Sequence, residues 1–101
     1  MTIFEQWEYM TRFCYAHIDN EGAKEYIKQT FPNWKNPPKF TPQTMIPDLN
    51  SWGKNGWELV HMEPVGSVGN NGDVGFITGQ GGTAWSNVYF CVFKRRIYKP
   101  E

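Results

Sequence analysis

The sequence predicts an α+β domain in which one main helix packs on one face of a three- or four-stranded antiparallel or mixed sheet. Residues 4–16, 57–64 and 88–97 are rich in aromatic and β-branched side chains, which suit pleated, half-buried strands. Residues 41–52 instead place apolar side chains three and four positions apart, which is the period of a helix face. The length of 101 residues corresponds to a single domain.

The main helix is expected to fold back over the sheet at the turn that follows it. Leu49 and Trp52 are three positions apart and share one helix face. Gly53 is predicted to end the helix with a positive φ, which glycine adopts at little steric cost. Gly56 then allows a second reversal before Trp57 opens the next strand, so two tryptophans bracket the turn.

Residues 49–60, with the sequence LNSWGKNGWELV, resemble the signature of the DUF4177 family of small domains of unknown function. Residues 7–9 (WEY) and 89–95 (YFCVFKR) are similar to that family's opening and closing strands. The resemblance implies a fold and carries no catalytic residues, because none is assigned in the family. Two segments depart from the family pattern: an insertion at about 18–41 and a long glycine-rich hairpin loop at about 64–87. The predicted structural motif consists of Trp7, Tyr9, Leu49, Trp52, Gly53, Gly56, Trp57, Leu59, Phe90 and Val92.

The first strand has two alternating faces, and neither of them is cleanly polar. Such a strand needs cover on both sides, either from a second helix or from another copy of the chain. The aromatic excess of the whole chain favours a homo-oligomer. One face carries Trp7, Tyr9, Thr11, Phe13 and Tyr15, and the other carries Glu8, Met10, Arg12, Cys14 and Ala16.

The insertion is predicted to contain a turn at 19–22 and a short helix over 23–31, which Pro32 would stop. A hairpin return strand is the alternative for 23–31. The proline-containing segment 33–41 should be an extended loop.

The main helix starts with Thr41 as a cap and Pro42 in its first turn. Pro47 should kink or restart this helix, so its well-formed part is predicted over about 47–52.

The last strand is the most apolar on both faces and is therefore predicted to be central. A hairpin joins the second and third strands, and a right-handed crossover places the first strand beyond the third, giving the order second, third, first. The glycine-rich loop lacks a P-loop sequence and precedes a strand rather than a helix, so it is interpreted as a hairpin loop. Closure of this loop over a ligand or neighbouring subunit is the alternative. Val74, Phe76 and Ile77 are candidates for a short extra strand.

Composition argues against several classes of function. Ten basic and ten acidic residues give a formal net charge of zero, which argues against a general nucleic-acid or membrane-surface binder. The sequence has no apolar run long enough to span a membrane and no signal-peptide pattern, so a cytoplasmic location is expected.

Few residues suggest chemistry. Cys14 and Cys91 lie in predicted strands and are interpreted as buried free thiols, with a disulfide as the alternative. His17 and His61 are the only histidines, and the sequence contains no Cys-x-x-Cys or His-x-x-x-His spacing, so neither a metal site nor a cofactor is predicted. Glu58 is expected to pair with Arg95 or Arg96 across strands, as a surface ion pair or as part of a small basic patch.

These features favour a small non-enzymatic binding module that self-associates, of the kind found by analogy among phage-encoded and accessory proteins. Its predicted ligand is small, anionic and nucleotide-like, bound at a subunit interface. One alternative is an enzyme with an interface active site that uses His61 or His17 as base. A second alternative is nucleic-acid binding through the sheet aromatics and the basic end of the last strand. The predicted ligand-binding residues are Trp34, Trp85, Arg95 and Arg96.

Overall fold

The computed structural model describes residues 4–77 and 86–98 and has the predicted α+β architecture. Helix formation over the insertion is confirmed, and the alternative of a return strand is wrong. None of the helices in the described part of the chain is long and apolar enough to cross a membrane. The elements are β1 (Trp7–Tyr15), α1 (Ala23–Thr30), a 3₁₀ turn (Pro42–Met45), α2 (Ile46–Lys54), β2 (Glu58–Val68), β3 (Val74–Phe76) and β4 (Val88–Arg96).

The four strands form one antiparallel sheet in the order β1-β4-β2-β3. The sequence predicts three or four strands in the order second, third, first; the structure has four, and β3 lies at the outer edge of β2. The β1–β4 register is regular over nine pairs, from Trp7 opposite Arg96 to Tyr15 opposite Val88. The β2–β4 register shifts once, between Leu59 and His61. Both long pairings therefore depend on β4.

The core lies between one face of the sheet and the helical segment 42–54. Phe93 is 1% exposed, and the indole of Trp52 packs on it with ring centroids 6.2 Å apart. Large apolar side chains buried in this way supply most of the favourable free energy of folding. The buried cluster contains Cys14, Ala16, Met45, Cys91 and Phe93, and Met10, Leu49, Trp52, Trp57 and Tyr89 pack against it.

The opposite face of the sheet, hereafter the open face, is not covered by α1. That helix packs on the 3₁₀ turn and α2, so both helices lie on the core side. The first strand's aromatic side chains consequently remain accessible to solvent, with Tyr9 65% and Tyr15 51% exposed. Edge-to-face contacts with Phe90 link its rings at one end of the sheet. The rings of the open face belong to Trp7, Tyr9, Phe13, Tyr15, Phe76 and Phe90.

The predicted restart of the main helix at Pro47 is confirmed, because a 3₁₀ turn precedes it and Pro47 sits in the first turn of α2. The prediction that Gly53 ends the helix with positive φ is wrong. The helix continues to Lys54, and Gly56, with φ of +87°, makes the reversal. The backbone N–H of Trp57 then donates to the carbonyl of Trp52 at 3.1 Å and closes the turn.

The second strand does not end at Pro64 as expected but continues to Val68. Pro64 pairs with Tyr89 inside the ladder, and β2 then turns back into β3, confirming the short extra strand. The turn is closed by a hydrogen bond from the Gly69 N–H to the Asp73 carbonyl at 2.7 Å, with Gly72 at φ of +91°. Much of the predicted loop is thus a hairpin. Its remaining part, including Trp85, lies outside the described residues.

Cys14 and Cys91 are free and buried, as predicted, on neighbouring strands of the core face. Burial raises the pKa of Cys14 to about 12, and the contact with Cys91 and the charge of Asp48 act in the same direction. Burial also raises the pKa of Cys91, although its hydrogen bonds with Cys14 oppose the shift. A thiol that stays protonated near neutral pH is a poor nucleophile, so these residues act as core packing.

Stability should decrease as the pH rises above the ordinary thiol pKa of 9.0. Above that pH the Cys14 thiol ionises in the unfolded state but stays protonated in the folded state. Ionisation therefore lowers the free energy of the unfolded state and reduces the free energy of unfolding. Urea unfolding measured from about pH 8 to about pH 10.5 should show this loss, and Cys14→Ala should reduce its dependence on pH. An identical pH dependence in the variant would contradict the assignment.

Candidate functional site

A cavity of about 400 Å³ lies between α1 and the loop that follows it, and we call it the α1 pocket. Its walls are mainly apolar and aromatic, and lysine side chains stand around them. A ligand pocket of this size commonly combines such a lining with a few polar groups. The lining residues are Ile18, Lys24, Ile27, Lys28, Phe31, Pro32, Trp34, Lys35, Asn36 and Pro37.

Local sequence builds this pocket. Pro32 prevents continuation of α1, whose last backbone bond runs from the Phe31 N–H to the Ile27 carbonyl at 2.7 Å. The Trp34 N–H then donates to the Phe31 carbonyl at 3.0 Å, which turns the chain back. The rings of Phe31 and Trp34 meet edge to face, with centroids 5.8 Å apart. The turn therefore presents two aromatic rings to the pocket.

The charges around the α1 pocket are basic. Lys24 and Lys28 are four residues apart and lie on one face of α1, and Lys35 approaches from the loop. Lys24 lies 3.6 Å from the Asp19 carboxylate. Within residues 4–77 and 86–98, no carboxylate lies within 4.0 Å of Lys28 or Lys35. The pocket is therefore suited to an anion beside an apolar or aromatic group.

A second cavity, of about 440 Å³, lies at the basic end of β4. Its two arginines already have partners: Glu8 accepts from the Nε of Arg95, and Glu5 lies 2.7 Å from Arg96. The Arg95 guanidinium also stacks over Trp57, 4.3 Å from the ring centroid. These arginines are largely neutralised within the chain, so this cavity is a weaker anion site.

The predicted ion pair of Glu58 with Arg95 or Arg96 is wrong, because the register places Glu58 opposite Lys94. Their charged atoms are 4.0 Å apart, and Lys94 also lies over the ring of Trp7 at 4.4 Å. This register includes a shift between Leu59 and His61, and the position of such a shift cannot be read from residue spacing.

The predicted site residues do not all meet. Trp34 lines the same cavity as Ile18, just beyond the carboxyl end of β1, whereas Arg95 and Arg96 pair with residues at the amino end of that strand. A strand of nine residues spans roughly 26 Å, so these groups belong to different regions. Trp85 lies outside the described residues. None of the lysines of the α1 pocket is among the predicted site residues, since only the turn after Pro32 brings Lys35 towards the helix.

Neither histidine lines the α1 pocket. His17 Nδ1 accepts a hydrogen bond from the Asp19 backbone N–H at 3.0 Å, and its ring meets Phe40 edge to face. His61 pairs with Glu63 at 2.8 Å in an exposed position. In the part of the chain that the structure describes, no three histidine, cysteine, aspartate or glutamate residues cluster to hold a metal.

No protein-family model, curated protein or solved structure matches this chain. The resemblance to the DUF4177 family therefore stays a prediction.

Arg95 should matter more for stability than for ligand binding. Arg95→Ala removes the stacking on Trp57 and leaves Glu8 without its cation, which should lower the free energy of unfolding by about 1–2 kcal/mol. Arg96→Ala removes an ion pair with Glu5 and a longer contact, of 5.5 Å, with the exposed ring of Tyr98; it is the comparison variant and should cost about 0.5 kcal/mol or less. Urea unfolding of both variants measures the difference; equal losses would refute the structural role of Arg95.

Proposed function

We propose that this chain is a small non-enzymatic binding module that takes a nucleotide-like anionic ligand in the α1 pocket. The observation that carries the proposal is the convergence of Phe31, Trp34 and three lysines around one cavity of about 400 Å³. Aromatic rings offer stacking surfaces to a planar base, and lysines offer point charges to a phosphate.

The pocket is formed by one chain, so binding there needs no second copy. Among the residues that the structure describes, no histidine, cysteine or carboxylate side chain lines it, and these are the groups that most often act as general base or nucleophile. A base would stack against Phe31 or Trp34 while its phosphate meets Lys28 and Lys35. This arrangement supports reversible binding over chemical conversion and makes the enzyme alternative based on His17 or His61 the weaker one.

Binding of adenosine 5′-monophosphate, followed by isothermal titration calorimetry, tests the proposal. The nucleotide should bind, adenosine should bind more weakly, and affinity should fall with added salt, because the lysines contribute through charge. Lys28→Ala combined with Lys35→Ala should weaken binding about tenfold or more. Lys54→Ala, an exposed lysine of α2 outside the pocket, is the matched control and should leave affinity unchanged.

Trp34→Ala should weaken nucleotide binding by about tenfold through loss of ring stacking, while the circular dichroism spectrum stays the same. Equal affinity of the native protein and the double lysine variant would refute the α1 pocket as the site. So would undetectable nucleotide binding by a folded native protein at millimolar ligand.

A further inference from the structure

The first strand is an unprotected edge of the sheet. In residues 4–77 and 86–98, the order β1-β4-β2-β3 leaves one side of β1 without a neighbouring strand. This edge is nine residues long, pairs with β4 without a bulge, and contains neither proline nor lysine. The other edge, β3, has only three residues and lies beside a register irregularity. Proteins usually shorten, bulge or charge exposed edges to prevent pairing, and β1 lacks most of these protections.

Hydrogen bonds at both ends of β1 show which backbone groups point outwards. The Ile97 N–H donates to the backbone carbonyl of Gln6 at 2.9 Å, and the Ala16 N–H donates to the backbone carbonyl of Asn87 at 2.8 Å. Even-numbered residues of β1 therefore form the hydrogen-bonded pairs with β4, and odd-numbered residues direct their N–H and C=O groups away from it.

A side-chain hydrogen bond agrees with this assignment of outward backbone groups to the odd-numbered residues. The outward carbonyl of Tyr15 accepts a hydrogen bond from the Asn20 side-chain amide at 2.6 Å, which closes that end of the edge. Within the described residues, the remaining outward backbone groups have no backbone partner. Four residues of β1 have outward backbone groups and are exposed, and we call them the β1 edge: Trp7, Tyr9, Thr11 and Phe13.

The β1 edge adjoins a cavity on the helical side of the sheet. A cavity of about 360 Å³ runs between β1 and α2, with Phe13 and Tyr15 on one wall and Asp48, Ser51 and Trp52 on the other. Arg12 lies at its margin, its guanidinium 5.0 Å from the centroid of the Trp52 ring. No carboxylate of the described residues lies within 4.0 Å of Arg12.

We propose that the β1 edge pairs antiparallel with the β1 edge of a second copy of this chain, about a two-fold axis at Met10. Trp7 would face Phe13 of the second copy, and Tyr9 would face Thr11, so all four outward positions find partners. The two sheets would form one eight-stranded sheet with both helical layers on the same side, because the two-fold axis of an antiparallel pair is perpendicular to the sheet.

Charge selects a second copy as the occupant and selects this register. With the axis at Met10, Glu8 lies directly opposite Arg12 of the second copy, and the same pair occurs twice. These are non-hydrogen-bonded positions, where side chains approach most closely. An axis at Thr11 would place Met10 opposite Arg12 and would use the carbonyl of Tyr15, which is already occupied. An axis at Arg12 would place two arginines together.

Sedimentation equilibrium of the native chain, Thr11→Pro and Thr11→Val tests the pairing. Native protein and Thr11→Val should be dimers at about 100 μM, whereas Thr11→Pro should be a monomer. Proline at this position removes an outward N–H and no bond to β4, which is where edge strands tolerate proline. A native monomer at this concentration would overturn the proposal, as would a Thr11→Pro variant that stays dimeric.

Charge exchange tests the register independently of proline. Arg12→Glu should weaken dimerisation at least tenfold, because it places carboxylates opposite Glu8 twice, and Glu8→Lys should do the same with cations. An equimolar mixture of the two variants should restore the dimer, since each mixed pair again joins opposite charges. Because Glu8→Lys also removes the carboxylate partner of Arg95 within the chain, the folding of each variant is checked by circular dichroism. A native dimer with no recovery in the mixture of folded variants would overturn this register.

Val92→Lys distinguishes edge pairing from stacking of two open faces. Val92 lies on the central strand and faces the open side, opposite Thr11. A lysine there should leave an edge-paired dimer intact. Loss of the dimer in folded Val92→Lys, with retention in Thr11→Pro, would overturn edge pairing in favour of face-to-face association.

Discussion

Burial of one face of β4 is the interaction on which the rest of this structure depends. Phe93 and Cys91 are almost inaccessible to solvent, and the strand that carries them pairs with β1 on one side and β2 on the other. If these side chains were not covered by α2 and the 3₁₀ turn, both long ladders would lose their common strand. The glycine turn at Gly56 is what brings α2 back over β4.

The helices cover only one face of the sheet. This asymmetry produces the three surfaces on which binding is considered: the α1 pocket, the open face and the β1 edge. Both helices lie on the core side, so α1 must find its own contacts on α2 and the 3₁₀ turn. Its outer side and the following loop then enclose the α1 pocket. The aromatic open face and the β1 edge remain accessible because the chain has no third helix in its described part to cover them.

Charge pairing separates the two cavities that a basic sequence pattern would treat alike. At the end of β4, three cations lie close to three carboxylates, Glu5, Glu8 and Glu58, and each of the three cations also lies over an aromatic ring. The lining of the α1 pocket instead contains three lysines and no carboxylate, and of these lysines Lys24 alone has a carboxylate of the described residues within 4.0 Å. The net charge of zero for the chain is therefore unevenly distributed: the cations at the end of β4 are paired with carboxylates, whereas the α1 pocket is basic.

Local patterns in the sequence determined the strands, the restart of the helix at Pro47 and the buried thiols, because side-chain periodicity and proline geometry act within a few residues. Tertiary structure alone decided three other features. The register across β4, including the shift near Leu59, assigned Glu58 to Lys94 rather than to an arginine. Packing of α1 on α2 separated Trp34 from Arg95. The extension of β2 through Pro64 followed from pairing with β4 and β3, since a proline can stand in a ladder where its missing N–H has no required partner.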